Sequence, residues 1–157
     1  MTNSLTVTAP TGTPFIDFVR EFDAPVEAVF NAHRDPELFK QWIGPDQGTV
    51  DLQEYDFRTG GAYHYVHSDG SGEYGFRGVF HTVRENEFAV QTFEFDGYPD
   101  MINLDTMQFV DLGDGRCKLV GRTVMPSVEA RDGMVASGME SGMSQGYDRL
   151  EKILTQA

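Results

Sequence analysis

Between Gly48 and Met125 the chain runs through six β-rich segments in succession, and helical patterning occurs only before and after them. The segments are "GTVDLQEYDF", "GAYHYVHS", "EYGFRGVFHTVRE", "EFAVQTFEF", "INLDTMQFVDL" and "RCKLVGRTVM". Turn chemistry separates them at Thr59-Gly60-Gly61, Asp69-Gly70-Ser71-Gly72, Glu85-Asn86, Asp96-Gly97 and Gly113-Asp114-Gly115. Strands joined by such short turns predict an antiparallel meander. Upstream, "FIDFVREF" from Phe15 to Phe22 reads as a further strand.

Two short helices are expected next. Asp23 is placed to cap the first, with Pro25 in its first turn and Val26, Val29 and Phe30 on one face; Asp35 and Pro36 open the second. One closing amphipathic helix is expected from about Val128 to Leu154. The order β-α-α-β-β-β-β-β-β-α defines an α+β domain in which a curved antiparallel sheet wraps around a long C-terminal helix. Gly60, Gly61, Gly75, Gly78 and Gly121 are the expected bulge or bend points. Residues 1–13, small, polar and proline-bearing, are expected to form a disordered lead-in to a single domain spanning 14–157.

Charge and composition narrow the function. A net charge of −13 argues against nucleic acid and against an anionic membrane surface. No apolar run reaches the ~20 residues of a membrane span, and the N-terminus lacks the basic and apolar regions of a signal peptide. Cys117 is the one cysteine, so no internal disulfide forms and a cytoplasmic location is expected. Its strand-like flanks make it a packed thiol rather than a nucleophile.

Several motifs tempt and fail. "GSGEYG" at 70–75 has the spacing of a dinucleotide fingerprint, but a strand follows it where a helix is required. The downstream lysine, H-R-D and D-F-G of a kinase are not found in order. His64 and His67, three apart on a strand, point to opposite faces, and no metal or cofactor site is expected. Asp105 is the one acid in the middle of its own strand, with Asn103 and Met107 as same-face neighbours. Spacing alone selects no acid–base pair, so no catalytic constellation is assigned.

Aromatic alternation is more informative. Tyr63 and Tyr65 share one strand face, Phe76 and Phe80 another, Phe93 and Phe95 a third, and Met107 and Phe109 a fourth. They read either as a filled core or as the wall of an apolar pocket rimmed by phenols. In the last helix, at about 100° per residue, Met139, Met143, Leu150 and Leu154 fall on one face with Tyr147 just beyond. Glycine recurs every fourth residue at 138, 142 and 146, although each costs a helix ~1 kcal/mol relative to alanine. Gly146, on the apolar flank, serves either close helix–sheet approach or free volume beside adaptable methionines.

The stretch "FDAPVEAVFNAHRDPELFKQWIGP", with Ala24-Pro25, Asp35-Pro36, Trp42 and Gly44-Pro45, resembles the opening of the SRPBCC superfamily, the START-like helix-grip fold. More closely it resembles homologues of the activator of heat-shock protein 90 ATPase. Thr59-Gly60-Gly61, the hairpin "GEYGFRGVFHTVRENEFAVQTFEF" and the terminal "GMSQGYDRLEKIL" extend the resemblance over roughly residues 15–155. It implies a helix-grip fold with a space between sheet and long helix that holds a small apolar or aromatic molecule. The residues expected to border it are Trp42, Tyr63, Tyr65, Phe76, Phe80 and Phe93, with Met107, Met139, Met143, Gly146 and Tyr147. Members of the superfamily also cyclise polyketides or act as co-chaperones. A chaperone partner is not expected here, because the co-chaperone's separate N-terminal domain has no room in this chain. A homodimer through an exposed sheet edge is compatible with the pattern.

Overall fold

The sheet is a single eight-stranded layer, and its strand order explains how the chain encloses space. The computed structural model describes residues 3–44 and 46–156. Strands β1 (Thr6–Thr8) and β2 (Phe15–Phe22) lead into helices α1 (Val26–Arg34) and α2 (Pro36–Trp42). The meander follows as β3 (Thr49–Tyr55), β4 (Ala62–Asp69), β5 (Gly72–Arg84), β6 (Phe88–Phe95), β7 (Ile102–Gly113) and β8 (Arg116–Val124). Helices α3 (Val128–Ala136) and α4 (Met139–Thr155) end the chain. The order in the sheet is β1-β2-β8-β7-β6-β5-β4-β3, with every neighbouring pair antiparallel. The six predicted meander strands are all present in their predicted places.

Four expectations change. The segment expected to be a disordered lead-in carries β1, which pairs Thr6 with Val19 and Thr8 with Asp17. Alternating threonine and valine suffice for three residues of edge strand. Asp23 does not cap α1: Pro25 is the N-cap residue and makes no side-chain cap bond. The Asp23 carboxylate instead accepts from Arg116 Nε at 2.9 Å. Asp35 does cap α2, accepting from the Glu37 amide at 2.9 Å.

The closing helix is two helices. Gly138 has φ +86°, the left-handed conformation that ends a helix at the lowest steric cost. The first glycine of the periodic three is thus a hinge between helices, outside the helical ladder. The fourth change concerns the sheet glycines. Register shifts fall between Leu52 and Glu54, Phe80 and Thr82, and Asp111 and Gly113, not at the five glycines expected to bend it. Gly75 and Gly121 sit in regular ladder and leave room for overlying side chains: a Cβ on Gly121 would lie 2.1 Å from the Phe18 ring.

The core lies between the concave sheet face and the helices. Phe30 of α1 packs edge-on against Phe57 and Phe109, with ring centroids 5.5 and 5.1 Å away. Trp42 Nε1 donates to the Ala32 carbonyl at 3.0 Å, locking α2 onto α1. Fully buried Phe22, Val29, Leu119 and Leu150 complete the layer. Cys117 is buried among them, and burial pushes its thiol up to about 12.

Helix α4 is held at both flanks. Arg20, buried on β2, pairs with Asp148 at 3.0 Å and Glu151 at 2.7 Å. On the other side Arg149 donates to the Trp42 carbonyl at 2.9 Å and to the Gly44 carbonyl, satisfying acceptors at the end of α2. Pro45, part of the motif read from the sequence, lies outside the described residues.

Candidate functional site: an aromatic cavity with a polar row

Sheet curvature and the packing of α4 leave a cavity of about 530 Å³ between them. Its floor is the concave sheet face, where the period of two brings alternate residues inward. Tyr63, Tyr65, Phe76, Phe80, Phe93 and Met107 come from β4 to β7. Trp42 of α2 and Met139, Met143, Gly146 and Tyr147 of α4 close the other side. All eleven residues singled out from the sequence therefore border one space.

The rings brace each other. Tyr147 stacks on Trp42 with centroids 5.5 Å apart and meets Phe22 edge-on at 5.8 Å. Tyr63 lies against Phe80 at 5.1 Å, and Phe76 stacks on Phe93 at 5.3 Å. Such contacts stabilise beyond area burial and fix the wall's shape.

The periodic glycines of α4 divide in role. A Cβ on Gly146 would meet the Trp42 carbonyl at 2.9 Å, so this glycine admits the end of α2, not a strand. The close-approach reading stands with a different partner. Nothing lies within 4 Å of a Cβ built on Gly142, which also borders the cavity. Free volume beside the methionines is the property of Gly142 rather than of Gly146.

A polar row crosses this apolar floor. Gln91 of β6, Asp105 of β7 and Thr123 of β8 are register partners, and all three border the cavity. Tyr63 Oη accepts from Gln91 Nε2 at 3.4 Å, extending the row to β4. Among the described residues, Asp105 Oδ1 has no hydrogen-bond partner. Burial pushes the Asp105 carboxyl up to about 6, and its neighbours Thr123 and Gln91 draw it partly back. The phenols of Tyr63, Tyr65 and Tyr147 are held well above their ordinary value, by burial first and by the Asp105 charge second or later.

His33 of α1 borders the same space. Its Nδ1 donates to the Val29 carbonyl at 2.8 Å, which leaves Nε2 as the acceptor nitrogen, buried and without a partner among the described residues. Burial lowers its pKa to about 4, against the opposing Val29 bond, so the ring is neutral at ordinary pH. His67 points inward and its Nε2 donates to the Gln47 carbonyl at 2.8 Å; His64, on the opposite face, sits 2.9 Å from Asp96.

Sequence reasoning noticed Asp105 but did not place it in the site. The signal lay in the cross-strand register of Gln91, Asp105 and Thr123, which no single strand carries. A second cavity of about 790 Å³ lies under α3 and shares Tyr74, Phe76, Phe93, Met134 and Met139 with the first, so the two spaces adjoin. Helix α3 is tied down by Arg131, which is buried and donates to the Pro10 and Phe15 carbonyls at 2.9 and 3.3 Å.

An eight-stranded antiparallel sheet gripping a long C-terminal helix over a cavity defines a helix-grip protein of the SRPBCC, START-like class. Within that class the family described as activator of Hsp90 ATPase homolog 1-like protein matches residues 23–155. The chain belongs to this family. Its fold is that of a crystal structure from Rhodobacter sphaeroides, at 22% identity and TM-score 0.87, covering 96% of this chain and 97% of that one. A Mycobacterium smegmatis crystal structure shares 21% identity at TM-score 0.86, with 97% of each chain covered. An AHSA1 protein from Silicibacter pomeroyi shares 20% at TM-score 0.72, over 89% of this chain and 96% of that one. Among curated proteins there is no match. No helix of the described residues is long and apolar enough to cross a membrane.

Proposed function

We propose that this protein binds a small hydrophobic or aromatic molecule in the cavity between the sheet and α4. One observation carries the reading: a cavity of about 530 Å³ whose lining is mostly aromatic and methionine side chains, with few polar groups. Ligand sites are typically ~300–1,000 Å³ and apolar with a few convergent polar groups. A ligand filling an apolar space of this size gains dispersion contacts with the wall around it.

Two other activities fit the family and differ in what they require. Regulation of heat-shock protein 90 ATPase would place contacts on the outer surface and leave the cavity unused. Cyclase-type chemistry would need turnover of whatever the cavity holds. A thermal-shift screen with naphthalene-based probes tests the binding reading. A ligand at ~100 times its Kd adds ~2.7 kcal/mol, or roughly 5–10 °C for a domain of this size. Absence of any shift across an apolar aromatic library, with stimulation of the purified chaperone's ATPase, would replace binding by regulation.

A further inference from the structure

The cavity's electrostatics go further than its size. Twelve of its lining residues are Phe, Tyr or Trp, and none is Lys or Arg. Its two carboxylates differ in kind. Asp69 is the last residue of β4, at the turn into β5, and already accepts from the Ser71 amide and hydroxyl, both at 2.7 Å. Asp105 stands in mid-strand on the floor, with Oδ1 unpartnered among the described residues. Arg20 does not border the cavity, and its two Nη atoms are paired with Asp148 and Glu151. A carboxylate or phosphate entering here would meet an acid and the negative faces of aromatic rings, with no cation to compensate it.

We infer that the cavity sorts molecules by charge, and that it takes a cationic aromatic or alicyclic amine whose ammonium docks on Asp105 beside the rings of Tyr65 and Tyr147. The inference rests on the cavity being a ligand site. Ammonium groups are attracted to aromatic faces, more strongly where water is excluded, and a charge-assisted hydrogen bond to a carboxylate adds to this. Gln91 and Thr123 flank the carboxylate in register and fix its position across the sheet. The Tyr63 hydroxyl, beyond Gln91, is already donated to the Thr92 carbonyl.

Binding of an amine also moves a proton. In the empty cavity burial favours the neutral Asp105 acid, whereas a docked ammonium favours the carboxylate. Below about pH 6 the amine therefore has to displace a proton, and its affinity falls as pH falls. The facing groups do not mask this. Tyr63 and Tyr65 on β4 and Tyr147 on α4 stay neutral phenols, His33 on α1 stays neutral above about pH 4, and Arg20 on β2 stays ion-paired. Gln91 on β6 and Thr123 on β8 do not titrate.

The test is calorimetric titration of the full chain with three probes sharing one ring system: 2-naphthylmethylamine, 2-naphthylmethanol and 2-naphthoate. The amine is expected to bind about tenfold tighter than the alcohol near neutral pH, and the carboxylate more weakly than either. Its advantage is expected to shrink by about tenfold between roughly pH 7 and pH 5, while the alcohol's affinity holds. Asp105→Asn should bring the amine to the level of the alcohol, and unchanged alcohol binding shows that the variant is folded. Naphthoate binding as tightly as the amine, or an amine preference that survives Asp105→Asn, would overturn the charge-sorting inference and leave the cavity as a ligand site. Failure of all three probes to bind the wild-type chain would overturn both readings.

Discussion

The Tyr63 hydroxyl reaches across Gly78 to donate to the Thr92 carbonyl at 2.5 Å, joining β4 to β6 over the strand between them. A Cβ on Gly78 would lie 2.0 Å from that carbonyl oxygen and 2.7 Å from the hydroxyl. Gly78→Ala is therefore expected to destabilise the fold by about 2–3 kcal/mol through enforced backbone displacement. Tyr63→Phe, which keeps the ring and loses only the bond, should cost about 1 kcal/mol. Urea unfolding with unchanged m-values would show both, in that order; equal effects would mean that Gly78 is there for some other reason.

The two glycines inside α4 should respond to alanine with opposite signs. Gly142 faces open space, so Gly142→Ala is expected to stabilise by up to about 1 kcal/mol through helix propensity. Gly146 abuts the Trp42 carbonyl, so Gly146→Ala should destabilise by about 1–2 kcal/mol despite the same propensity gain. Gly142→Leu should leave the fold intact and abolish thermal shifts by apolar probes. Thermal melts of the three variants, with and without a naphthalene probe, decide the matter.

Burial drives Asp105 and His33 towards each other, one up to about 6 and the other down to about 4. Their effects on stability oppose. Asp105 is raised above its unfolded value, so it penalises the fold once pH exceeds both values, and the penalty fades as pH falls from about 6 to 4. His33 is depressed, so the fold loses stability as pH falls from about 6.5 to 4, where only the unfolded chain takes up the proton. Each effect is about 3 kcal/mol at most, and together they flatten the profile over this window. Asp105→Asn should raise stability near neutral pH and steepen the loss towards pH 4. Chemical denaturation at four or five pH values would measure this, and a difference between the two proteins that is independent of pH would contradict it.

Arg131 secures α3 to the β1–β2 connection and to the first residue of β2. Arg131→Gln should leave the Pro10 and Phe15 carbonyls without their guanidinium donor and cost about 1–3 kcal/mol. Because α3 lies over the adjoining cavity, amide exchange should accelerate in residues 128–136 well before it does in α4. Equal acceleration in both helices would mean that they open as one unit.

How far the sequence led can be seen in particular residues. Period-two patterning and turn dipeptides located six strands, because each hairpin signal is local. Asp35 with Pro36 announced α2 for the same reason. Gly138 was misread because a helical wheel keeps its phase across a left-handed residue, and only backbone geometry shows that the helix stops there. Gly146 was matched to the wrong neighbour, since its partner is a carbonyl more than 100 positions away, at Trp42. The row Gln91, Asp105 and Thr123 depends on register between three strands, which is a tertiary property. Apolar lining was legible from alternation within single strands; the polar group that distinguishes this cavity from a plain core was not.

Cys117 offers a practical opening. It is fully buried and burial pushes its thiol up to about 12, so thiolate-seeking reagents find almost nothing to attack at neutral pH. A cysteine introduced at Val135, which is 44% exposed on α3, would carry a fluorophore or spin label as the chain's single reactive thiol. The native residue would need no replacement, and the motion of α3 above the adjoining space could be followed spectroscopically in an otherwise unaltered core.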